Sequence, residues 1–323
     1  MLTSRTALVV ADEAPAGPPC AGQVLHEQTV PRHLVHRAAV SEVFLTDLRI
    51  VDDTTFSVGA QWPRDHSFYR LPSPHRHDPM LLAETIRQAA LVIAHQVFGV
   101  PLDWKFMSHE TNYQITTAGL ALGARPADIT LTVTCHDVKR RGAKVAGMGM
   151  DVTCHRDGRQ IGSGSVRWSC VTAAAYQRLR AGVGDRVPPP GTPAPSAPPV
   201  SRGLVGRDRS RDVVLSPHDR RGSWLLRIDR RHPVLFDHPV DHVPGMVLQE
   251  AARQAAALLL GRPGLVPAAL RFTFDRYVEF DSPVVVTPVR RAPATTGALG
   301  VGVEIEQDGR VAAQGLMDMR IVD

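Results

Sequence analysis

The sequence has few cysteines, few aromatic residues and no long apolar run. Its four cysteines include no CxxC pair, which argues against the usual zinc and redox motifs. No apolar stretch reaches the roughly 18–20 residues that span a bilayer. The first 20 residues do not have the pattern of a signal peptide and are predicted to be a loose tail. These absences favour a soluble cytoplasmic protein with free thiols, no membrane segment, no metal and no cofactor.

The chain is mildly basic, with a formal net charge of +5 and a sequence pI near 9.3. This excess fits an acidic carrier protein, a phosphorylated metabolite or a nucleic acid, and it selects none of them. Acidic residues interrupt both arginine-rich stretches, 202–212 and 220–232, and no DNA-binding motif accompanies them. We therefore expect no nucleic-acid partner.

A proline-rich stretch, VPPPGTPAPSAPPVSRG at 187–203, divides the chain. Crowded prolines and small residues cannot build a core and favour an extended spacer. We predict four parts: a tail at 1–20, a first domain at 21–180, a linker at 181–203 and a second domain at 204–323.

The two predicted domains look like copies of one unit. Two apolar helical stretches share a set of residues at a constant offset of 166: Met80, Glu84, Arg87 and Gln88 match Met246, Glu250, Arg253 and Gln254. Each copy also carries a late Asp-Gly hairpin signal, at 157–158 and 308–309. The smaller offset of the hairpins indicates about 15 extra residues in the first copy. We assign them to an enlarged loop within 98–119.

Around each helical stretch the sequence alternates as a strand does. The alternating segments are 129–137, 160–171, 223–229, 270–280, 299–307 and 311–322. Each copy therefore reads as a strand or two, a long apolar helix and then several antiparallel strands. This predicts an α+β fold in which a helix packs on a curled sheet.

Both helices are apolar nearly all round, so their polar residues are predicted to be partly buried. A buried carboxylate without a partner costs several kcal/mol or takes up a proton. One interpretation is an ion pair at helical spacing, Glu84 with Arg87 and Gln88, and Glu250 with Arg253 and Gln254. The other is a desolvated Glu with a raised pKa that acts as a general acid or base. The sequence leaves both open.

Several motifs carry a family resemblance. HPVDHVPGMVLQEAARQAA at 238–256 resembles the central-helix region of hot-dog-fold acyl-thioester proteins, including the 3-hydroxyacyl-carrier-protein dehydratases. VHRAAVSEVFLTD at 35–47, AQWPRDHSFY at 60–69, DPMLLAETIRQAA at 78–90 and FGVPL at 98–102 resemble the A-factor biosynthesis proteins, which make γ-butyrolactone signalling molecules. The likeness covers both copies.

The resemblance implies tandem hot-dog domains, a pseudo-dimer within one chain. It also implies transfer of a β-ketoacyl group from acyl carrier protein to the hydroxyl of dihydroxyacetone phosphate. The candidate catalytic residues are Glu84, Gln88, Glu250 and His238, and the candidate substrate-binding residues are Arg253, Arg87, Gln254 and Gly245. As a hypothesis, Glu84 takes the hydroxyl proton, Gln88 orients substrate and Arg253 holds the phosphate. Backbone N–H groups near Gly245 or Met80 would form an oxyanion site.

Other histidines and other functions stay open. His75 and His77 fit a loop or capping role or the lining of the site, His95 fits the core, and Asp241 can orient His242 or be solvated. The competing functions are a dehydratase or thioesterase on acyl carriers, which would use the helix Glu with His238, and a non-catalytic regulator that binds acyl chains or lactones. A homodimer of the whole chain is also compatible with the sequence.

Overall fold

The structure is a computed structural model that describes residues 23–73, 75–182 and 197–321. Three α-helices are present in these ranges: α1 Met80–Gln96, α2 Ala173–Leu179 and α3 Gly245–Leu260. The strands of the first half are β1 Leu45–Ile50, β2 Thr55–Trp62, β3 Lys105–Ile115, β4 Ala127–Arg141, β5 Lys144–Arg156 and β6 Arg159–Val171. Those of the second half are β7 Leu215–Pro217, β8 Trp224–Leu226, β9 Leu265–Phe274, β10 Val284–Arg291, β11 Leu299–Gln307 and β12 Arg310–Ile321.

The twelve strands form one antiparallel sheet in the order β1-β2-β4-β5-β6-β3-β9-β12-β11-β10-β8-β7. The order of the second six strands mirrors that of the first six. The halves join where β3 pairs with β9, with Tyr113 opposite Leu270. The predicted duplication is therefore present as two six-stranded units that share one sheet.

Each long helix is buried against the sheet of its own half. Leu82, Ile86 and Ile93 of α1 are fully buried, and so are Val247 and Ala251 of α3. Glycines on the strands let the helix approach closely: a Cβ at Gly164 of β6 would lie 2.5 Å from Cδ1 of Ile86. A long helix wrapped by a curled antiparallel sheet is the architecture that the sequence predicts.

The two Asp-Gly turns join β5 to β6 and β11 to β12. Asp157, Gly158, Asp308 and Gly309 all have positive φ angles between 50° and 72°, as the predicted two-residue hairpin turns require. One prediction about the first copy is wrong: 98–119 is not an enlarged loop, because most of it is strand β3. The extra residues are spread over several connections, and the long β4–β5 hairpin takes the largest share.

Part of the predicted linker belongs to the second half. The N–H of Val200 donates to the carbonyl of Leu215, just as the N–H of Val30 donates to the carbonyl of Leu45 in the first half. Residues 183–196 of the linker and the whole predicted tail lie outside the described residues. The domain bounds otherwise stay predictions.

In the described ranges, no helix combines the length and the apolar character needed to cross a membrane. Those same ranges also contain no group of three or more His, Cys, Asp or Glu residues placed to hold a metal ion.

Candidate active site

The carboxylate of Glu84 lies inside an ion-pair cluster. The side chain is fully buried, and its Oε1 atom lies 2.7 Å from a guanidinium nitrogen of both Arg37 and Arg87. Burial raises the pKa of Glu84, but the two guanidinium groups outweigh it and lower the pKa to about 2. The carboxylate is charged at neutral pH and already accepts from both partners. We therefore correct the hypothesis that Glu84 takes a substrate proton.

Glu250 sits in the matching cluster of the second half. Arg207 reaches its Oε2 at 2.6 Å and Arg253 reaches its Oε1 at 2.7 Å, and all three side chains are buried. Burial raises the pKa of Glu250, and the two arginines reverse this and hold it well below its usual range. The guanidinium of Arg253 donates to Glu250 through two nitrogens, and the residue is about 1% exposed. Because the guanidinium is buried and paired, the predicted contact between Arg253 and a phosphate has no room to form.

One glutamine on each long helix binds the segment that precedes the first strand of the same half. Gln88 accepts from the N–H of Phe44 at 3.0 Å and donates to the carbonyl of Glu42 at 2.8 Å. Gln254 makes the equivalent pair with Val214 and Asp212, at 3.0 and 2.8 Å. Both amides are satisfied and buried, so the structure assigns them a structural role in place of the predicted contact with substrate.

The arginines of the clusters also tie the two halves together. Arg37 of the first half donates to the carbonyl of Val234 in the second at 3.1 Å. Arg207 of the second half donates to the carbonyl of Phe68 in the first at 2.7 Å. The exchange is reciprocal, as expected for a pseudo-two-fold axis between duplicated units. The helix carboxylates thus anchor the arginines that hold the halves in register.

A cavity of about 1000 Å³ opens between the halves. Its lining includes the face of α1 with Ala83, Arg87 and Leu91, the start of α3 and the segment 234–242 that precedes α3. The wall is mixed: apolar side chains such as Phe106, Trp168 and Phe274 accompany the cationic groups Arg37, Arg87, Lys105 and Arg230 and the acidic groups Asp237 and Asp241.

The first turn of α3 faces this cavity without a side-chain cap. The N–H groups of Gly245 and Met246 have no hydrogen-bond partner among the described residues. The start of an α-helix carries a partial positive charge and donors that suit an oxyanion. The oxyanion site at Gly245 stays a prediction, and these two N–H groups are the donors that it would use.

The start of α1 is closed instead. Pro79 has no N–H group, and the N–H of Met80 donates to Asp78 at 2.9 Å. Asp78 in turn pairs with Arg207 at 3.3 Å, and that guanidinium lies 4.4 Å from the ring centroid of Phe68. Of the two helix starts that the duplication produced, only that of α3 offers free donors to a ligand.

Three histidines line the cavity: His36, His238 and His242. His242 places Nδ1 2.7 Å from Asp241, whose carboxylate also accepts from the hydroxyl of Tyr176 at 2.9 Å. Tyr176 belongs to the short helix α2, so a segment outside the duplicated units helps to orient Asp241. His238 lies 3.6 Å from Asp237, and burial lowers its pKa although Asp237 opposes this.

The structure thus divides the residues predicted from the sequence. Arg87, His238 and Gly245 line the cavity, whereas Glu84, Gln88, Glu250, Arg253 and Gln254 lie in the interior. His36, Lys105 and Gln249 line the cavity and were not predicted. A comparison of the two copies could have drawn attention to His36 within the VHR triplet at 35–37, because Arg37 has a counterpart in Arg207 whereas His36 has no histidine counterpart.

Two mirrored helix-and-sheet units with a shared cavity define a protein of the double hot-dog class. A crystal structure assigned as an oleoyl thioesterase from Lactobacillus plantarum has this fold with a TM-score of 0.50 and 13% identity, covering 84% of this chain and 98% of that one. The sequence model of the A-factor biosynthesis hotdog domain matches residues 24–172 and 191–323. The chain belongs to this A-factor biosynthesis family.

Curated relatives support the same family membership. A protein of Streptomyces virginiae named 2-oxo-3-(phosphooxy)propyl 3-oxoalkanoate synthase is 44% identical over 280 residues, which cover 87% of this chain and 94% of that protein. A Streptomyces griseus protein of the same name is 40% identical over 276 residues, covering 85% and 90%. The predicted fold class and family resemblance are confirmed.

Proposed function

We propose that this chain is an acyltransferase that moves a 3-oxoacyl group from acyl carrier protein to the hydroxyl of dihydroxyacetone phosphate. The observation that carries this proposal is one cavity that joins an apolar wall, a set of cationic groups and an uncapped helix start. An acyl chain, a phosphate and a thioester carbonyl need these three features respectively. The names of the relatives supply the substrate class.

The reaction joins an alcohol to an acyl group at the expense of a thioester. The hydroxyl oxygen attacks the thioester carbon, the carbonyl oxygen becomes an oxyanion beside the N–H groups of Gly245 and Met246, and the carbon–sulfur bond then breaks. The hydroxyl proton passes to a base in the cavity and finally to the departing thiolate of the carrier. The products are the phosphorylated 3-oxoacyl ester and the free carrier thiol.

Direct transfer fits the side chains better than an acyl-enzyme. Cys135, Cys154 and Cys170 are buried, and burial raises the pKa of each thiol, to about 12, 12 and 11. A thiol with a raised pKa is a poor nucleophile at neutral pH. A dehydratase that used the helix Glu is disfavoured because Glu84 and Glu250 are held in their arginine clusters.

The phosphate is assigned to the cationic groups that line the cavity, Arg37, Arg87, Lys105 and Arg230, which we call the cationic wall. Among the described residues, Lys105 has no ion-pair partner. We expect Lys105→Gln to raise KM for dihydroxyacetone phosphate about fivefold, because an exposed charged contact is worth about 1 kcal/mol. KM for the acyl donor should stay within about twofold. Lys144→Gln removes the same charge at an exposed strand end outside the cavity and should change neither constant.

The proposal is tested by the identity of the product. Purified protein is given 3-oxoacyl carrier protein with dihydroxyacetone phosphate, and the mixture is analysed by mass spectrometry. The expected product is the phosphorylated ester. Free 3-oxo acid as the main product would make the chain a thioesterase, and an enoyl thioester formed from a 3-hydroxyacyl carrier would make it a dehydratase. Tight binding without any product would indicate an acyl- or lactone-binding regulator.

A further inference from the structure

His36, which lines the cavity, forms a hydrogen-bonded pair with His95 that fixes the position of their protons. Nε2 of His36 lies 2.9 Å from Nε2 of His95, and Nδ1 of His95 lies 2.7 Å from the carbonyl oxygen of Val100. Because a carbonyl oxygen only accepts, His95 carries its hydrogen on Nδ1 and accepts at Nε2. His36 therefore donates from Nε2 and keeps Nδ1 as an acceptor, which has no partner among the described residues.

The chain keeps His36 in a backbone conformation that suits glycine better. Its φ angle is 52°, in the left-handed region, where a residue with a Cβ atom is strained by about 1–2 kcal/mol. The matching residue of the second copy is Gly206, with a φ of 65°. Both residues stand directly before the arginine of their ion-pair cluster. A strained histidine where the duplicate has glycine indicates that the imidazole itself is needed.

The partner of His36, His95, also has a glycine at the matching position of the second copy. His95 lies 166 residues before Gly261, which is the offset of the two helices, so the second copy lacks both histidines. The ion-pair clusters and glutamine clamps occur in both copies and serve the fold. The histidine pair occurs only in the first copy, where His36 lines the cavity that faces the open start of α3.

The surroundings of His36 connect it to the phosphate. Burial, together with the charges of Arg87, His95, His238 and Lys105, lowers the pKa of His36 to about 3, so its imidazole is neutral at pH 7. Arg87 and Lys105 belong to the cationic wall assigned to the phosphate. A phosphate bound there offsets these positive charges and makes the imidazole a stronger base when the acceptor is present.

From this geometry we propose that His36 is the catalytic base of the transfer and that His95 is its positioning residue. Nδ1 of His36 takes the proton of the attacking hydroxyl as the oxygen–carbon bond forms. It returns that proton to the thiolate sulfur as the carbon–sulfur bond breaks, so the imidazole ends neutral. This assignment rests on the acyltransferase function proposed above.

The direct test is His36→Asn, because Asn tolerates the left-handed conformation better than other residues with a side chain. We expect kcat to fall about 10²- to 10⁴-fold, the usual contribution of a general base, with KM for the acyl donor within about threefold of wild type. His33→Asn, at an exposed residue in the same segment, is the matched control and should keep full turnover. His36→Gly should lose turnover equally and unfold no earlier than wild type, since it restores the residue of the second copy.

His95 is tested by a pair of variants. His95→Phe removes the acceptor for Nε2–H of His36, whereas His95→Gln offers a carbonyl oxygen in its place. We expect the turnover of His95→Phe to fall below that of wild type, and the turnover of His95→Gln to be at least tenfold higher than that of His95→Phe. Imidazole ¹⁵N resonances should show Nδ1 of His36 unprotonated in wild type and a tautomer mixture in His95→Phe. Wild type that forms no ester defeats the proposed function, whereas His36→Asn with turnover within threefold of a competent wild type overturns only the role of His36.

Discussion

Replacing Glu250 with Ala is expected to lower the free energy of unfolding by about 3–5 kcal/mol, because two buried arginines lose their only shared carboxylate. Arg207 and Arg253 both have side chains about 1% exposed, so water cannot replace the lost anion. Among the described residues, Arg207 keeps Asp78, at 3.3 Å, as its remaining ion-pair partner and still donates to the carbonyl of Phe68. The measurement is urea unfolding at pH 7, followed by circular dichroism.

The matched variant is Glu84→Ala in the first copy. Its effect should be smaller, because the side chain of Arg87 is 29% exposed and can be solvated when the carboxylate is lost. Glu306→Ala removes a carboxylate whose contact with Arg220 is 3.9 Å long and should cost less than about 0.5 kcal/mol. A Glu250→Ala protein as stable as the Glu306→Ala protein would show that the cluster does not stabilise the fold.

The pH dependence of stability follows from the same clusters. The pKa of Glu84 is about 2 in the folded protein and 4.5 in its ordinary state, so the unfolded chain binds its proton first as the pH falls. The contribution of this carboxylate is complete above pH 4.5 and is lost between pH 4.5 and 2. We expect Glu84→Ala to show a flatter decline of stability over that interval than wild type. An unchanged slope would contradict the ion pair.

The sequence predicts the fold well because local residue patterns determine most of its elements. The duplicated helix, the Asp-Gly turns and the alternation in 299–307 each reflect a local period or turn rule, and β11 has the predicted bounds. The strands that the patterns did not predict are β1, β2, β3, β5, β7 and β10. Of these, β2 is buried over most of its length and reads TFSVGAQW, without regular alternation.

The site is harder to predict because it depends on contacts between residues that are far apart in the sequence. The repeat draws attention to Glu84 and Glu250, but a repeated residue is as useful for holding two copies together as for catalysis. Their decisive partners, Arg37 and Arg207, lie 47 and 43 residues earlier and no helical spacing connects them. The differences between the copies carry more functional information than the similarities: His36 against Gly206, and Gly245 against Pro79.

That last difference defines a second prediction with a large expected effect, here on activity. Gly245→Pro gives α3 the residue that the first copy has at the start of α1, and it removes one backbone N–H from the oxyanion site. The helix should tolerate the change, since proline is favoured in the first turn and Pro244 already has an extended ψ of 144°. We expect kcat to fall about 10²- to 10³-fold, the cost of losing one oxyanion donor.

Gly245→Ala separates this chemical effect from a steric one. A Cβ at this position lies 3.0 Å from the ring of Phe274, so alanine introduces the same contact while it keeps the N–H group. The alanine variant should retain most of its turnover, and circular dichroism should show equal melting for both variants. If proline and alanine slowed ester formation equally, the ring contact with Phe274 would explain the loss, and the start of α3 would not be the oxyanion site. A selective loss in the proline variant would place the developing negative charge at the one helix start that the duplication left open.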